Sequence, residues 1–203
     1  MFSTFAAYPT FLVFLAVVIS MVVTMGLMPV WIRLLKSSHI GQQVRADGPQ
    51  SHLVKQGTPT MGGVIMLVAV IACTLLIGAP TPEIWLLLGA TVLTGLLGLI
   101  DDGSKVAHER SLGLTPKAKL VGQFAIATAF ILFAVNLLGV EPTVSIPFVY
   151  TFDLGILTWV LPIGDGIAIP VLYLLFVNIL LVGMCNAVNL TDGIDGLATG
   201  VTI

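Results

Sequence analysis

The chain is 203 residues long, 57% hydrophobic and only 9% charged, with a mean hydropathy of +1.09. A soluble domain carries roughly a quarter charged residues, so the composition excludes that class and describes an integral membrane protein. The formal net charge of -2 says little beside the way the charges are distributed.

The first apolar stretch runs from about Tyr8 to Ile32. It is too long for a signal-peptide core and no Lys or Arg precedes it, so it reads as a true span with Pro29 and Trp31 near its inner end. A polar segment follows from Arg33 to Pro59. The second span covers about Thr60 to Ala79, and a link with Pro80 and Pro82 leads to the third, Glu83 to Ile100. The loop Asp101 to Pro116 precedes a fourth span from about Lys117 to Gly139. Residues 140–167, with Pro142, Pro147 and Pro162, alternate in character and suggest a short strand pair or an interfacial segment. The fifth span runs from about Ala168 to Leu190, and after Gly193 and Gly196 the chain turns apolar again as far as Ile203. The expected architecture is an all-α integral membrane fold, organised as a single membrane domain. Cys73 and Cys185 fall in separate apolar stretches and read as packing residues, which leaves no disulfide framework.

Five alternating spans place residues 33–59, 101–117 and the segment after 190 on one side. All eight Lys and Arg residues and all three histidines lie on that side or at its boundary. The opposite side has Glu83, Glu141, Asp153 and Asp165 but no basic residue. The positive-inside rule puts the basic loops in the cytoplasm and the N-terminus outside.

The chemistry gathers at the cytoplasmic face. The third span stops at two adjacent carboxylates, Asp101 and Asp102, with Lys105 three positions after the second. Neighbouring anions repel and call for cations or metal close by. Thr58-Pro59 and Thr115-Pro116 mark helix starts, where Thr caps and Pro fits the first turn. Lys117 and Lys119 follow the second start. Cations there oppose the helix dipole, which makes sense if an anion is bound or if they simply anchor the span at the membrane. From Asn186 to Asp195 two amides and two carboxylates recur every third residue at the inner end of the last span. Polar groups this dense at membrane depth are costly and are kept for function or for inter-helix hydrogen bonding. Carboxylates, amides and lysines at one face suit Mg²⁺-assisted chemistry on phosphates.

Four runs, Lys55 to Gly63 (KQGTPTMGG), Asp101 to Lys105 (DDGSK), Leu114 to Lys119 (LTPKAK) and Asn186 to Ala198 (NAVNLTDGIDGLA), now fall into place. In order and spacing they resemble the polyprenyl-phosphate N-acetylhexosamine-1-phosphate transferases, and the resemblance covers residues from about 30 to 203. Within that family it is strongest to the members that move phospho-N-acetylmuramoyl-pentapeptide from its UDP carrier to undecaprenyl phosphate. That reaction releases UMP and makes the first lipid intermediate of peptidoglycan. The resemblance implies that Asp101 is the base or the organiser for the lipid phosphate, and that Asp102 helps hold the nucleotide diphosphate and metal. Lys105 and Lys117 match phosphate-facing lysines. Lys55, Thr60, Asn189, Asp192, Gly193 and Asp195 match positions of the nucleoside and sugar pocket.

Magnesium is the implied cofactor, with Asp102 and Asp192 as candidate ligands. The implied partners are UDP-N-acetylmuramoyl-pentapeptide, undecaprenyl phosphate and membrane lipid, with no nucleic acid and with room for a homodimer. The implied location is a bacterial inner membrane, with the active site on its cytoplasmic face. Two departures stand out. Glu109 occupies the place expected for a further basic residue, with Arg110 adjacent. Family members also have about ten spans, so the 203 residues read as the N-terminal part of a longer transferase. The principal magnesium ligand and a His-rich loop are expected beyond Ile203, and these residues are not expected to catalyse alone. The runner-up readings are the sister transfer of GlcNAc-1-phosphate to the lipid, a cation-coupled transporter and a structural membrane subunit. A transporter would keep its ionisable groups near the bilayer midplane, whereas here they collect at one face.

Overall fold

The computed structural model describes residues 8–38, 41, 60–108, 113–164 and 166–191. They fall in two compact units, Met1–Lys119 and Leu120–Ile203. In chain order the elements are α1 (Pro9–Ser37), α2 (Gly63–Ile77), α3 (Pro82–Ala107), α4 (Pro116–Leu138), β1 (Thr143–Ile146), β2 (Tyr150–Asp153), β3 (Thr158–Leu161), β4 (Ile167–Pro170) and α5 (Val171–Thr191). The protein is thus a mostly helical membrane protein. Four of the described helices, α1, α3, α4 and α5, are long and apolar enough to cross a bilayer.

In the first unit α2 packs against both α1 and α3. Its contacts with α1 run antiparallel: Cys73 Sγ lies 3.8 Å from the Ala16 carbonyl, and Trp31 Nε1 donates to the Met61 carbonyl at 3.2 Å. At Gly95 of α3 a Cβ would stand 2.7 Å from Leu67 Cδ2, so the missing side chain lets α3 lie close against α2. The second predicted span shortens to 15 residues in α2, or about 22 Å of helix, less than the roughly 30 Å of a hydrocarbon core. The chain breaks at both ends for local reasons. Met61 has φ of 61°, and Gly78 is extended with Pro80 just beyond.

Two predicted boundaries need correcting here. Helix α1 runs past Ile32 to Ser37, which puts Lys36 in the last turn, where a cation suits the helix dipole. Helix α3 does not stop at Ile100 but continues through both carboxylates to Ala107. Lys105, at i+4 from Asp101 and i+3 from Asp102, pairs with both and supports that extra length. Thr81 caps α3, its Oγ1 accepting from Ile84 N at 3.5 Å, with Pro82 in the first turn.

In the second unit α4 and α5 are joined by two antiparallel hairpins, which realise the predicted strand pair twice. Thr143 opposes Asp153 and Ile146 opposes Tyr150 in the first, and Thr158 opposes Pro170 and Leu161 opposes Ile167 in the second. The turn of the first has Phe148 at φ 64°, a conformation that a bulky residue seldom adopts. The fifth span was expected from Ala168, but Ala168 and Pro170 are paired in β4, so the helix starts at Val171. Asn136, near the end of α4, fixes that edge: its Nδ2 donates to the Ala168 carbonyl at 2.9 Å and its Oδ1 accepts from Ala168 N at 2.7 Å.

Between α4 and α5 lies a polar seam. Asn186 Nδ2 donates to Gln123 Oε1 at 2.8 Å, and Asn178 Nδ2 to Thr128 Oγ1 at 3.3 Å. Gln123 is 3% exposed, so the seam is part of the packing, and Ala127 and Ile131 of α4 and Val182 of α5 are buried as well.

Candidate active site

The paired carboxylates sit on the final turns of α3, and their surroundings differ sharply. Asp101 is 6% exposed and both its oxygens are engaged. Its Oδ1 accepts the Leu114 backbone N–H at 2.9 Å. Its Oδ2 lies 3.0 Å from Lys105 Nζ and 3.5 Å from Lys119 Nζ. The Asp102 side chain is 36% exposed, and its Oδ1 accepts from Lys105 at 2.7 Å. No described residue donates to its second oxygen. Two carboxylates therefore face two ammonium groups, which removes the mutual repulsion that the sequence alone could only flag.

The cluster is built by local rules. Thr115 caps α4, with its Oγ1 accepting from Ala118 N at 3.3 Å and its carbonyl from Lys119 N at 3.0 Å, as the Thr-Pro signal predicted. This start fixes which way the lysines of the first turns point. Residues two apart on a helix differ by about 200° in direction, so only one of Lys117 and Lys119 can face Asp101. Lys119 does, while Lys117 is exposed and pairs with no described residue. The unfavourable cation near the helix start thus has an anion after all, one supplied by the protein itself.

The remaining predicted residues divide as follows. Asp101, Asp102 and Lys105 come together as expected. Thr60 is half-buried just before α2 and makes no hydrogen bond or ion pair with the cluster. Asn189 lies exposed on the last turns of α5 in the second unit. Lys55, Asp192, Gly193 and Asp195 lie outside the described residues, as do Thr58 and Pro59 with their predicted helix start. Asn186 is spent on Gln123, so for this residue the inter-helix reading holds. Among the described residues no group of three or more His, Cys, Asp or Glu could hold a metal. Lys119 and the Gly113-Leu114 backbone were missing from the predicted site. Their sequence signals were the helix start at Thr115, which fixes a phase but not a neighbour, and, for Leu114 and Lys119, the matched run Leu114 to Lys119.

A buried carboxylate held by lysines at the end of an apolar helix suits the handling of phosphate anions, and the comparisons agree on the class. Glycosyl transferase family 4 matches residues 84–203, more than half of the chain, and the chain belongs to that family. A signature described as phospho-N-acetylmuramoyl-pentapeptide-transferase signature 1 matches residues 55–67. The chain is 40% identical over 198 residues to the phospho-N-acetylmuramoyl-pentapeptide-transferase of Corynebacterium kroppenstedtii, covering 91% of this chain and 53% of that protein. It is also 40% identical over 198 residues to that of Staphylococcus saprophyticus, covering 95% and 57%, and 41% identical over 190 residues to that of a Geobacillus species, covering 92% and 54%. The chain spans about half the length of the curated relatives it matches.

Proposed function

We propose that this protein transfers phospho-N-acetylmuramoyl-pentapeptide from its UDP carrier to undecaprenyl phosphate, releasing UMP and forming the first lipid intermediate of peptidoglycan synthesis. The reaction takes place at the cytoplasmic face of a bacterial inner membrane. The observation that carries this reading is the Asp101–Asp102–Lys105–Lys119 network, which lies inside the segment matched by the family. The shared name of the relatives and the signature at residues 55–67 support this choice of substrate.

In this reaction an oxygen of the lipid phosphate bonds to the sugar-bearing phosphorus. The bond from that phosphorus to the bridging oxygen breaks, and UMP leaves with that oxygen and its electron pair. Such a transfer needs in-line positioning and charge neutralisation more than covalent help. Lys105 supplies positive charge beside the exposed carboxylate of Asp102. Lys117, exposed and unpaired among the described residues, is the ammonium available to a phosphate oxygen. Mg²⁺ takes oxygen ligands and bridges carboxylates to phosphates, and the oxygen of Asp102 with no described donor fits one such position. Asp102 would hold the ion, which when bound would supply charge neutralisation at the transferring phosphates, and Asp192, the second candidate from the sequence, lies outside the described residues.

The test uses membranes carrying the protein expressed from its complete reading frame, in a host whose own enzyme is inactivated by an orthogonal inhibitor or depleted. UMP release is expected from UDP-N-acetylmuramoyl-pentapeptide only when undecaprenyl phosphate and Mg²⁺ are both present. Release from UDP-N-acetylglucosamine instead would assign the sister reaction. No release from either donor would refute the transferase reading.

A further inference from the structure

We propose that residues 113–119 form a clamp for Asp101, with Lys119 as its positioning residue, so that Asp102 is the carboxylate of the pair left to meet phosphate or metal. The consequence for turnover rests on the transferase reading, whereas the clamp itself rests on geometry alone.

Three observations converge on the clamp. Leu114 N–H holds Oδ1 of Asp101 at 2.9 Å, and Lys119 Nζ reaches Oδ2 at 3.5 Å from the opposite end of the same segment. Just before Leu114, Gly113 lies against the backbone of Asp101. A Cβ at residue 113 would meet the Asp101 carbonyl oxygen, would stand 2.5 Å from Oδ1 and would stand 2.9 Å from Cγ. Those atoms belong to a helix backbone and a carboxylate already held on both oxygens, so they have little room to give. Only glycine lets the loop come close enough for the next amide to reach Oδ1. Together with Lys105 on Oδ2, the segment leaves the buried Asp101 carboxylate committed to protein donors. Asp102, one residue on and turned about 100° around the helix, is the more exposed partner and gives one oxygen to Lys105. Lys119 therefore acts through Asp101, by fixing the end of α3 that presents Asp102, and does not itself touch substrate.

The test combines turnover with a measurement that needs no turnover. In the protein expressed from its complete reading frame, Lys119→Met is expected to lower kcat by about 10²-fold, the order that a small misplacement of reacting groups costs, with little change in KM. Lys119→Arg keeps the charge and is expected to recover most of that loss. In an Asp101→Asn background Lys119→Met should cost less than about threefold more, because partners in one network are not additive. Hydrogen exchange at the Leu114 amide should quicken in Lys119→Met and return towards the wild-type rate in Lys119→Arg. Gly113→Ala should quicken it too, if that variant folds; the Lys119 pair carries the test if it does not. Unchanged exchange at Leu114 together with multiplicative losses in the double variant would overturn the clamp. A wild-type protein that releases no UMP would overturn the transferase reading, while the exchange data would still decide the clamp.

Discussion

Asp101 and Asp102 share a sequence neighbourhood, yet one is buried among three donors and the other stands half in solvent. A carboxylate whose two oxygens are already taken is poorly placed to accept a proton, which favours the organiser role over the base role. Asp101→Asn is expected to lower the transfer rate by about 10²–10⁴, the range in which a positioned acid–base or charged group contributes. Raising the pH ionises the lipid phosphate fully without help from the enzyme. Rescue of the variant at high pH would therefore assign proton removal to Asp101, whereas the geometry predicts little rescue. The exposed lysine gives a second expectation at this scale. Lys117→Ala should impair turnover at least tenfold more than Lys36→Ala, because Lys36 lies in the last turn of α1 and serves as an anchoring charge. Equal turnover at matched expression would make Lys117 ordinary surface charge. The sequence pointed to the Asp pair because two adjacent anions at the end of an apolar run need an explanation. It could not separate Lys117 from Lys119, because a helix start sets their phase while only the packing of loop 113–115 decides which one meets Asp101.

The elements show where sequence patterns end and packing takes over. The apolar runs located all five of the described helices, since about twenty apolar residues have few other uses. Their ends moved wherever a tertiary contact outweighed polarity: Lys105 carries α3 beyond its apolar run, and β-pairing with Thr158 delays the start of α5. Residues 186 and 189 stand only three apart, but one is used between helices and the other is exposed. Their motif could not show this, because the partner Gln123 is 63 positions away. That seam is itself testable. Gln123→Leu leaves Asn186 with its backbone partner Val182 but without the contact across to α4, and should cost about 0.5–2 kcal/mol, the range for inter-helix hydrogen bonds in membranes. Combining it with Asn186→Leu should recover part of the loss, because replacing both partners leaves no unpaired polar group. Thermal unfolding in a fixed detergent would measure both. Additive destabilisation in the double variant would show that the two side chains are not coupled.

Over the whole chain the strongest regularity is the placement of charge. Every Lys and Arg lies in the last turns of α1 or α3, in the first turns of α4, or in the segments between α1 and α2 and between α3 and α4, and the two hairpins between α4 and α5 contain none. A membrane protein oriented by its basic loops keeps such segments in the cytoplasm and exports the basic-free ones. The catalytic proposal depends on this orientation, because a UDP-linked donor is met on the cytoplasmic side and Asp102 and Lys105 must be reachable from there. Two described and exposed positions report it cleanly: Ser38 at the end of α1, beside Lys36, and Ser145 on β1. Ser38→Cys and Ser145→Cys would each be made with Cys73→Ala and Cys185→Ala, which removes both thiols of these 203 residues. In intact spheroplasts a membrane-impermeant maleimide is expected to label Ser145→Cys and to spare Ser38→Cys. After the membrane is opened both should react, which shows that the spared site was shielded by the bilayer and not by packing. Labelling of Ser38→Cys but not Ser145→Cys in the intact cells would reverse the orientation. The Asp pair would then face away from the nucleotide, and the transferase mechanism would lose its donor.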